Sequence, residues 1–323
     1  MTKTEVKADG TVTQTTTTTN GTVAKTETKT DGSSQTTVTT KDGSKSITST
    51  TAAGVTTAQV TVSAVAAAEA AKAGEPVTLP MPEVAATTSA VIAPVVTITT
   101  GSAVPVTVEI PVANVSAGTV AVLVNPDGTE TIVTNSIPTE DGLAVAVANG
   151  ATLKIVDNAT KFEDVTASDW EKVAVDFVSA RGIMNGTSTV DGTFSPDSTT
   201  TRAQVWTMLA RLSGVDTSTG KNWYEVGQEW AKANNISDGT DPNGEITREQ
   251  LATMLWRFAG EPETEQSADS FADVGDTSEW ARQAQNWAVS SGIINGMNGK
   301  LNPTGDASRA QVAQMFMKMI ING

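Results

Sequence analysis

The first sixty residues combine a β-branched polar residue, threonine, with turn signals at a fixed spacing. Thr occupies 22 of the first 60 positions, and β-branched side chains favour extended strands. The pairs Asp9-Gly10, Asn20-Gly21, Asp31-Gly32 and Asp42-Gly43 recur every 11 residues, and such pairs favour two-residue type I′ hairpin turns. The pattern predicts a Thr-rich antiparallel β meander over residues 1–62, with one strand in each repeat.

Apolar side chains are scarce in these strands. Val12, Val23, Val38 and Ile47 are nearly the only ones between the turns. A lone sheet of this composition does not bury enough apolar surface to offset the entropy of ordering it. We therefore expect the meander to pair its edges, to pack on another domain or to associate with other copies. A disordered Thr-rich stalk is the alternative that the composition leaves open.

The hydrophobic pattern changes after residue 62. Residues 63–73 are rich in Ala and precede Gly74, which predicts a short helix with a glycine stop. Stretches with an apolar residue at every second position then begin at Val95, Val106, Thr119, Glu130 and Leu143. Short strands at spacings of roughly ten residues predict a small β-sandwich-like domain over residues 63–157, led by the short helix. We find no residue constellation typical of catalysis in it.

A polar linker at residues 157–161 precedes a change to helical periodicity, and from there the chain aligns with itself in three copies. Each copy predicts a Trp-led helix, a turn, a loop and a second helix. The equivalent residues are Trp170, Trp223 and Trp280; Gly182, Asn235 and Gly292; Gly186, Gly239 and Gly296; and Arg202, Arg248 and Arg309. We place the copies at residues 161–214, 215–262 and 269–323. The second copy is degenerate, because its loop is shorter and its start differs from the other two.

The second helix of each copy begins with a capping box, in which a hydroxyl residue is followed three positions later by Gln. The pairs are Thr201 with Gln204, Thr247 with Gln250 and Ser308 with Gln311. An Arg occupies the first helical position each time, where a cation opposes the helix dipole. This repeated unfavourable placement indicates a use for the arginines, and a helix N-terminus with free amides favours an anion. We therefore expect an anion site at each capped helix start.

Charge and missing residue types narrow the function. The chain of 323 residues has a formal net charge of −15, which argues against nucleic acid, whose binding requires basic surface. Because the chain has neither Cys nor His, thiolate chemistry and His-dependent catalysis are excluded. Carboxylate-only catalysis stays open, but no paired-carboxylate motif stands out, and we expect no enzyme, no metal site and no cofactor. No run of 18 apolar residues predicts a membrane span, and the start lacks the apolar segment of a signal peptide, so we expect an exported form to be processed or truncated.

Two copies share a full set of short motifs. The first has Phe162-Glu-Asp164-Val165, Gly182-Ile-Met-Asn-Gly186, Phe194-Ser-Pro196 and Thr201-Arg-Ala-Gln204. The third has Phe271-Ala-Asp273-Val274, Gly292-Ile-Ile-Asn-Gly296 and Ser308-Arg-Ala-Gln311. These motifs resemble those of the S-layer homology (SLH) domain. With the degenerate second copy, the resemblance covers about half of the chain.

The resemblance implies an all-α pseudo-threefold SLH bundle that binds pyruvylated secondary cell wall polysaccharide in grooves between neighbouring copies. A planar guanidinium can hold the carboxylate of a pyruvate ketal with two hydrogen bonds, and the resemblance assigns this role to Arg202, Arg248 and Arg309. The other implied site residues are Asp164 and Asp273, which bond sugar hydroxyls or orient the arginines; Trp170 and Trp280, which stack on sugar rings; and Gly186, Gly239 and Gly296, which let the backbone approach the ligand.

Each of these residue types also has a purely structural explanation. Tryptophans at helical spacing serve the core, glycines serve turn geometry, and an Arg in a first turn can pair with a neighbouring carboxylate. Because the second copy lacks its start, we expect one or two competent grooves, with Arg202 and Arg309 as the principal ligands.

The sequence favours a non-catalytic bacterial cell-surface protein, extracellular at the cell wall or S-layer. Its C-terminal half would bind wall polysaccharide, and its N-terminal β region would project outward. The alternative is a self-assembling S-layer or filament subunit, a homo-oligomer whose N-terminal strands pair between copies, since unpaired strand edges favour such pairing. The two hypotheses are compatible.

Overall fold

The computed structural model describes residues 1–188 and 190–322. They belong to two compact units, Met1–Asn158 and Ala159–Gly323. The first unit consists of β-strands with one short helix, and the second consists of helices. The sequence-based order of a large β region followed by a helical region is confirmed.

The Thr-rich region forms six strands in chain order. They are β1 (Thr2–Val6), β2 (Val12–Thr17), β3 (Val23–Thr28), β4 (Ser34–Thr39), β5 (Lys45–Thr50) and β6 (Thr56–Thr61). Each strand pairs with the next in antiparallel fashion; Thr4, for example, lies opposite Gln14, and Gln14 lies opposite Thr26. The predicted meander is therefore what the chain forms.

The turns between these strands differ from the predicted type I′. That turn requires positive φ at both central residues, whereas among the described residues Gly10 has a φ of 84° and Asp9 is not in the positive region. The Lys7 amide donates to the Thr11 carbonyl, and the Gly10 amide donates to the Lys7 carbonyl, which defines a type I turn followed by a glycine bulge. The Asp9 carboxylate accepts from the Thr11 amide at 2.9 Å, a contact that favours this turn. Equivalent bonds occur at Asn20, Asp31 and Asp42.

Helix α1 (Ala64–Ala73) and nine further described strands complete the first unit. The strands are β7 (Val77–Thr78), β8 (Val84–Ala85), β9 (Val95–Thr99), β10 (Val106–Ala113), β11 (Thr119–Val124), β12 (Glu130–Ile132), β13 (Ile137–Pro138), β14 (Gly142–Val147) and β15 (Ala151–Asp157). Strand β6 pairs in parallel with β9, which gives one ten-stranded sheet of order β1-β2-β3-β4-β5-β6-β9-β15-β11-β12. A second sheet has the order β13-β14-β10-β7, with β8 also on β10. The stretches 1–62 and 63–157, which composition separates, thus share one sheet and one compact unit.

A single hydrophobic cluster draws on both sheets. Ile98 and Ile155 from the ten-stranded sheet and Ile110 and Leu143 from the second sheet are fully buried; burying a side chain of this size stabilises by about 1.5–3 kcal/mol. The meander joins the cluster through β6, where Val60 is buried. At the far end of the sheet, β1 is exposed at all five positions. The polar meander therefore contacts the core through β6, at the end of the meander opposite to β1, as expected for a sheet that packs on another region.

The described part of the second unit contains six α-helices and two one-turn 3-10 helices. They are α2 (Lys172–Ala180), α3 (Arg202–Leu212), α4 (Glu225–Ala233), α5 (Arg248–Phe258), the 3-10 helices Val274–Asp276 and Glu279–Ala281, α6 (Arg282–Ser290) and α7 (Arg309–Asn322). The predicted helix ends are left-handed, with φ of 66° at Gly182, 57° at Asn235 and 69° at Gly292. Within the described residues, no helix combines the length and the apolar character needed to cross a membrane.

The starts of α3, α5 and α7 are linked by short backbone pairings. Three isolated antiparallel bridges join Thr201 with Glu245, Thr247 with Asp306 and Ser308 with Thr199. All three capping boxes form, since Gln204, Gln250 and Gln311 accept from the amides of their cap residues at 2.9, 3.2 and 3.2 Å. The bridges run in a closed order, so each capped helix start lies against a loop of the next copy.

Candidate functional site

Each predicted arginine donates a hydrogen bond into the loop of the neighbouring copy. Nε of Arg202 bonds the Thr240 carbonyl at 2.9 Å, Nε of Arg248 bonds the Leu301 carbonyl at 2.7 Å, and Nε of Arg309 bonds the Phe194 carbonyl at 2.8 Å. The residues that follow the acceptors are left-handed, with φ of 50° at Asp241, 50° at Asn302 and 60° at Ser195. The structure therefore brings the three arginines into equivalent positions.

The backbone amides of the helix starts are already occupied. At α5, the Arg248 amide donates to the Gly305 carbonyl and the Glu249 amide donates to the Pro303 carbonyl, both at 2.9 Å. The Gln250 amide donates to the Thr247 hydroxyl. The amides of α3 and α7 have corresponding partners. The expectation that free amides help to bind an anion is wrong, because the neighbouring loops and the caps use these amides.

Asp164 and Asp273 hold the loops that receive the arginines. The carboxylate of Asp273 accepts from the Leu301 and Asn302 amides, both at 2.8 Å. Burial disfavours the charged form of Asp273, but these amide bonds outweigh it and hold the pKa of the carboxyl below its ordinary value. The carboxylate of Asp164 likewise accepts from the Phe194 and Ser195 amides, at 2.8 and 2.7 Å. Of the two predicted roles, these contacts favour orientation of the arginines through the loop.

Arg248 lies beside a broad cavity. It is half-buried, and its two terminal nitrogens have no hydrogen-bond partner within the described part of the chain. The cavity has a volume of about 860 Å³, and Trp170, Asp273 and Lys318 also line it. Burial lowers the pKa of Arg248, and the nearby Asp273 opposes this shift. Arg248 thus offers an unpaired, partly desolvated guanidinium to this cavity.

A second cation, Lys318, belongs to the same cavity. When the side-chain amide of Asn295 is assigned from its surrounding hydrogen-bond partners, its oxygen accepts from Lys318 Nζ at 2.6 Å and its nitrogen donates to the Gly292 carbonyl at 3.3 Å. Burial lowers the pKa of Lys318. The arrangement holds the ammonium at the rim of the Gly292–Gly296 turn, in the cavity that Arg248 lines.

Arg202 lines a smaller cavity of about 330 Å³, together with Trp280 and Arg257. Its NH2 nitrogen pairs with the Asp238 carboxylate at 2.7 Å and with the Ser237 hydroxyl at 3.1 Å. Hydrogen bonds from the backbone and side chain of Thr240, with a smaller contribution from Arg202, lower the pKa of Asp238. Arg202 therefore pairs with a neighbouring carboxylate, which is the structural alternative that the sequence left open for a first-turn Arg.

Arg309 is the most enclosed of the three arginines. It is 5% exposed, and its NH2 nitrogen bonds the Asn185 carbonyl at 2.8 Å. The guanidinium also lies over the Phe194 ring, 4.7 Å from the ring centre, a favourable cation–π geometry. These contacts tie α7 to the loop of the first copy and leave little of Arg309 for a ligand.

The equivalent tryptophans are on the surface. Trp170, Trp223 and Trp280 are 63%, 56% and 57% exposed, whereas Trp206 and Trp287 are buried. The leading tryptophan of each copy therefore lies on the surface and not in the core. Trp170 and Trp280 lie in the cavities of Arg248 and Arg202 respectively.

The turn glycines have packing reasons of their own. A Cβ on Gly296 would lie 2.4 Å from the Phe271 ring and 2.7 Å from the Lys300 carbonyl oxygen, and a Cβ on Gly186 would lie 2.9 Å from the Phe162 ring. At Gly239 the conflict is with the Lys232 side chain, at 2.5 Å. Gly296 also lines the Arg248 cavity. The close packing of these turns against the rings of Phe162 and Phe271 therefore requires Gly at positions 186 and 296 whether or not a ligand approaches.

Sequence reasoning missed Lys318 and Arg257. Both lie nine positions after the first arginine of their helix, and Arg211 occupies the same position in the first copy. Each of the two lines the cavity at the loop of its own copy. The signal was a second basic residue repeated at this spacing in all three copies. In the first two copies it lies in the last turn of the capped helix, where the helix dipole also favours a cation.

Comparison with known families gives two matches in the second unit. The model of the S-layer homology domain matches residues 161–205 and 270–313. These segments include Arg202 and Arg309 with their Phe-x-Asp-Val starts, and they leave out Arg248 and the rest of the predicted second copy. Two of the three predicted copies are therefore recognised.

Several curated proteins are similar to part of the chain. The S-layer protein sap of Bacillus anthracis is 24% identical over 54% of the chain and 23% of its own length, and the surface-layer 125 kDa protein of Lysinibacillus sphaericus is 28% identical over 55% and 16%. An amylopullulanase of Thermoanaerobacterium thermosulfurigenes is 29% identical over 49% of the chain but 9% of its own length. The chain thus spans less than a quarter of the length of these three relatives. The matches to the S-layer homology domain at residues 161–205 and 270–313, together with S-layer proteins among the relatives, indicate a location at the cell surface or S-layer.

Proposed function

We propose that the second unit anchors the protein by binding a pyruvylated secondary cell wall polysaccharide, and that the Arg248 cavity is its principal site. The observation that carries this proposal is a half-buried guanidinium with two unpaired terminal nitrogens, among the residues described, beside a cavity of about 860 Å³. A pyruvate ketal presents a carboxylate, and two parallel N–H groups of Arg match its two oxygens. The S-layer homology matches support a wall polymer as the ligand.

The other residues of the cavity suit a charged sugar. Lys318 adds a second positive charge, which favours an anionic ligand at a site with reduced solvent screening. Trp170 is 63% exposed at the cavity, so its ring can cover the apolar face of a pyranose. Asp273 is already bound by two loop amides, so it acts by positioning Leu301 for Arg248.

The three arginines then differ in availability. Arg248 has its terminal nitrogens free within the described structure, Arg202 must release or share Asp238, and Arg309 is nearly buried. We infer one principal groove at Arg248, a weaker one at Arg202 and a structural role for Arg309. This keeps the expectation of one or two competent grooves but assigns the main one to the arginine of the degenerate copy.

We also propose that the second copy, residues 215–262, is a structural repeat equivalent to the other two, so that the three copies form a pseudo-threefold bundle. Helices α4 and α5, the Thr247 capping box and the left-handed Asp241 before Pro242 repeat the geometry of the matched copies. The bond from Arg202 to Thr240 repeats the bonds from Arg248 and Arg309. The loss of the Phe-x-Asp-Val start is compensated by Asp238, which holds its arginine directly.

The anchoring role needs no catalysis. The chain has no His or Cys, and the carboxylate of Asp273 in the principal cavity is occupied by backbone amides. We therefore propose a non-catalytic protein, although glycosidases are among its relatives.

A sedimentation assay with purified cell wall carrying the polymer tests this function. The whole chain should sediment with native wall and should fail to do so with depyruvylated wall. Arg248→Gln should weaken binding at least tenfold, since a charge-assisted bidentate contact contributes about 1.5–3 kcal/mol per hydrogen bond. The matched control is Arg282→Gln, an exposed arginine that also begins a helix. Binding retained by Arg248→Gln and by depyruvylated wall would exclude the carboxylate contact.

A further inference from the structure

The ten-stranded sheet ends in a strand with an unpaired side. Within residues 1–188 and 190–322, β1 pairs with β2 and with no other strand. All five of its residues are exposed. Such an edge presents a row of backbone donors and acceptors to another chain, so its hydrogen-bonding pattern decides what can pair with it.

The pattern on β1 is fixed by its bonds to β2. The Lys7 amide donates to the Thr11 carbonyl, and Met1 and Thr17 exchange both of their backbone bonds, at 2.7 and 2.9 Å. In an antiparallel ladder the bonded pairs alternate, so the odd residues of β1 point their amides and carbonyls toward β2. The backbone groups of Thr2, Thr4 and Val6 therefore point away from the sheet.

We propose that two copies of this chain join β1 to β1 in antiparallel pairing, about a twofold axis at Thr4. Thr4 then exchanges two backbone bonds with Thr4 of the second copy, and Thr2 and Val6 exchange bonds with Val6 and Thr2 of that copy. The pairing satisfies every outward-facing backbone group of β1 and joins the two ten-stranded sheets into one. Twofold contacts of this kind are isologous, since both copies use the same surface.

The charges on β1 select this register. With Thr4 opposite Thr4, Lys3 of each copy lies directly opposite Glu5 of the other, in the non-bonded positions where facing side chains are closest. A shift by two residues in one direction places Lys3 opposite Lys3. The shift in the other direction places Glu5 opposite Glu5. Like charges directly opposite are destabilising, so the strand is self-complementary in one antiparallel register.

The side chains that would make these pairs are accessible. Lys3 and Glu5 bond each other along the strand at 2.6 Å, with side chains 70% and 60% exposed. In the paired form each can exchange this neighbour for the opposite strand. The pairing would also cover Val6, an apolar side chain that is 71% exposed. The scarcity of apolar residues in the meander predicts that it associates with another surface. The free edge of β1 offers a defined contact for this association, and that contact does not depend on polysaccharide binding.

Charge reversal in the whole chain tests the register. We expect the chain to form a dimer in sedimentation equilibrium, and Lys3→Glu or Glu5→Lys to weaken it about tenfold or more, because each turns two attractive pairs into repulsive ones. The double variant Lys3→Glu/Glu5→Lys should restore the dimer. An equimolar mixture of the two single variants should form heterodimers, since both of its cross-strand pairs are again opposite in charge. A chain that stays monomeric at every soluble concentration, or a dimer indifferent to these variants, would overturn the proposal.

A cysteine variant tests the axis. The chain has no Cys, so Thr4→Cys introduces a unique thiol that faces its own copy across the axis. The spacing of a bonded antiparallel pair, about 5.5 Å between Cα atoms, is within the range that a disulfide spans. We expect rapid formation of a covalent dimer under mild oxidation by Thr4→Cys and slow formation by the control Thr16→Cys on β2. Equal rates for the two variants would refute the twofold at Thr4.

Discussion

Nε of Arg248 donates to the carbonyl of Leu301 at 2.7 Å, across 53 residues of sequence. The amide of the same Leu301 donates to Asp273 at 2.8 Å. One residue of the loop therefore connects the guanidinium that lines the cavity with the carboxylate that holds the loop. This relationship makes Asp273 a positioning residue for Arg248, and it can be tested without touching Arg248.

Asp273→Asn should weaken wall binding severalfold. An amide oxygen can accept from one of the two loop amides, but its NH2 group faces the other donor, so the Leu301 carbonyl loses its fixed position. The measurement is co-sedimentation with native wall, together with the thermal midpoint of unfolding. Asp269→Asn, an exposed carboxylate of the same copy, should change neither. Unchanged binding by Asp273→Asn would show that the loop holds Arg248 without this carboxylate.

The same carboxylate should make the second unit sensitive to acid. Because the folded state lowers the pKa of Asp273, its contribution to stability is present above the ordinary Asp value of about 3.9 and is lost as the pH falls through the lower folded pKa. The thermal midpoint should therefore fall in this acid range for the parent chain. In Asp273→Asn this part of the pH dependence should be missing, while the part due to Asp238, whose pKa is also lowered, should remain. Identical pH profiles would contradict the assignment.

The leading tryptophan of the first copy and the buried tryptophan of its second helix should respond in opposite ways. Trp206 is fully buried, so Trp206→Ala should destabilise by about 3–5 kcal/mol. Trp170 is mostly exposed, so Trp170→Ala should change stability by no more than about 0.5 kcal/mol and should reduce wall binding. Denaturant unfolding and the sedimentation assay separate the two effects. A binding loss with Trp206→Ala alone would show that Trp170 is not a sugar platform.

The types of the structural elements could be predicted from the sequence, because they depend on local periodicity. The 11-residue repeat placed the strands of the meander, and hydroxyl-x-x-Gln placed the capped helices. The turn type was wrong, because Asp9-Gly10 suits both a type I′ turn and a type I turn with a glycine bulge. The parallel pairing of β6 with β9 was not foreseen, since nothing in either strand's pattern specifies its neighbour.

The candidate site was predicted in outline but not in detail. The repeat placed the arginines in equivalent positions, yet their availability depends on residues from other copies. Asp238 stands where the other copies have Asn185 and Asn295, and this carboxylate pairs with Arg202. The enclosure of Arg309 follows from tertiary packing on Phe194, which the spacing of motifs does not reveal.

Two glycines in one loop separate backbone strain from steric conflict. Both Gly296 and Gly299 have positive φ, 66° and 73°, so Ala at either position should destabilise by about 1–2 kcal/mol from backbone strain. A Cβ on Gly299 meets nothing within 4 Å, whereas one on Gly296 would lie 2.4 Å from the Phe271 ring. Gly296→Ala should therefore lose about a further 1–3 kcal/mol and should weaken wall binding, because Gly296 lines the Arg248 cavity. Denaturant unfolding of the two variants gives the comparison, and equal losses would mean that the ring of Phe271 can move aside, which would leave the loop free to adapt around the ligand.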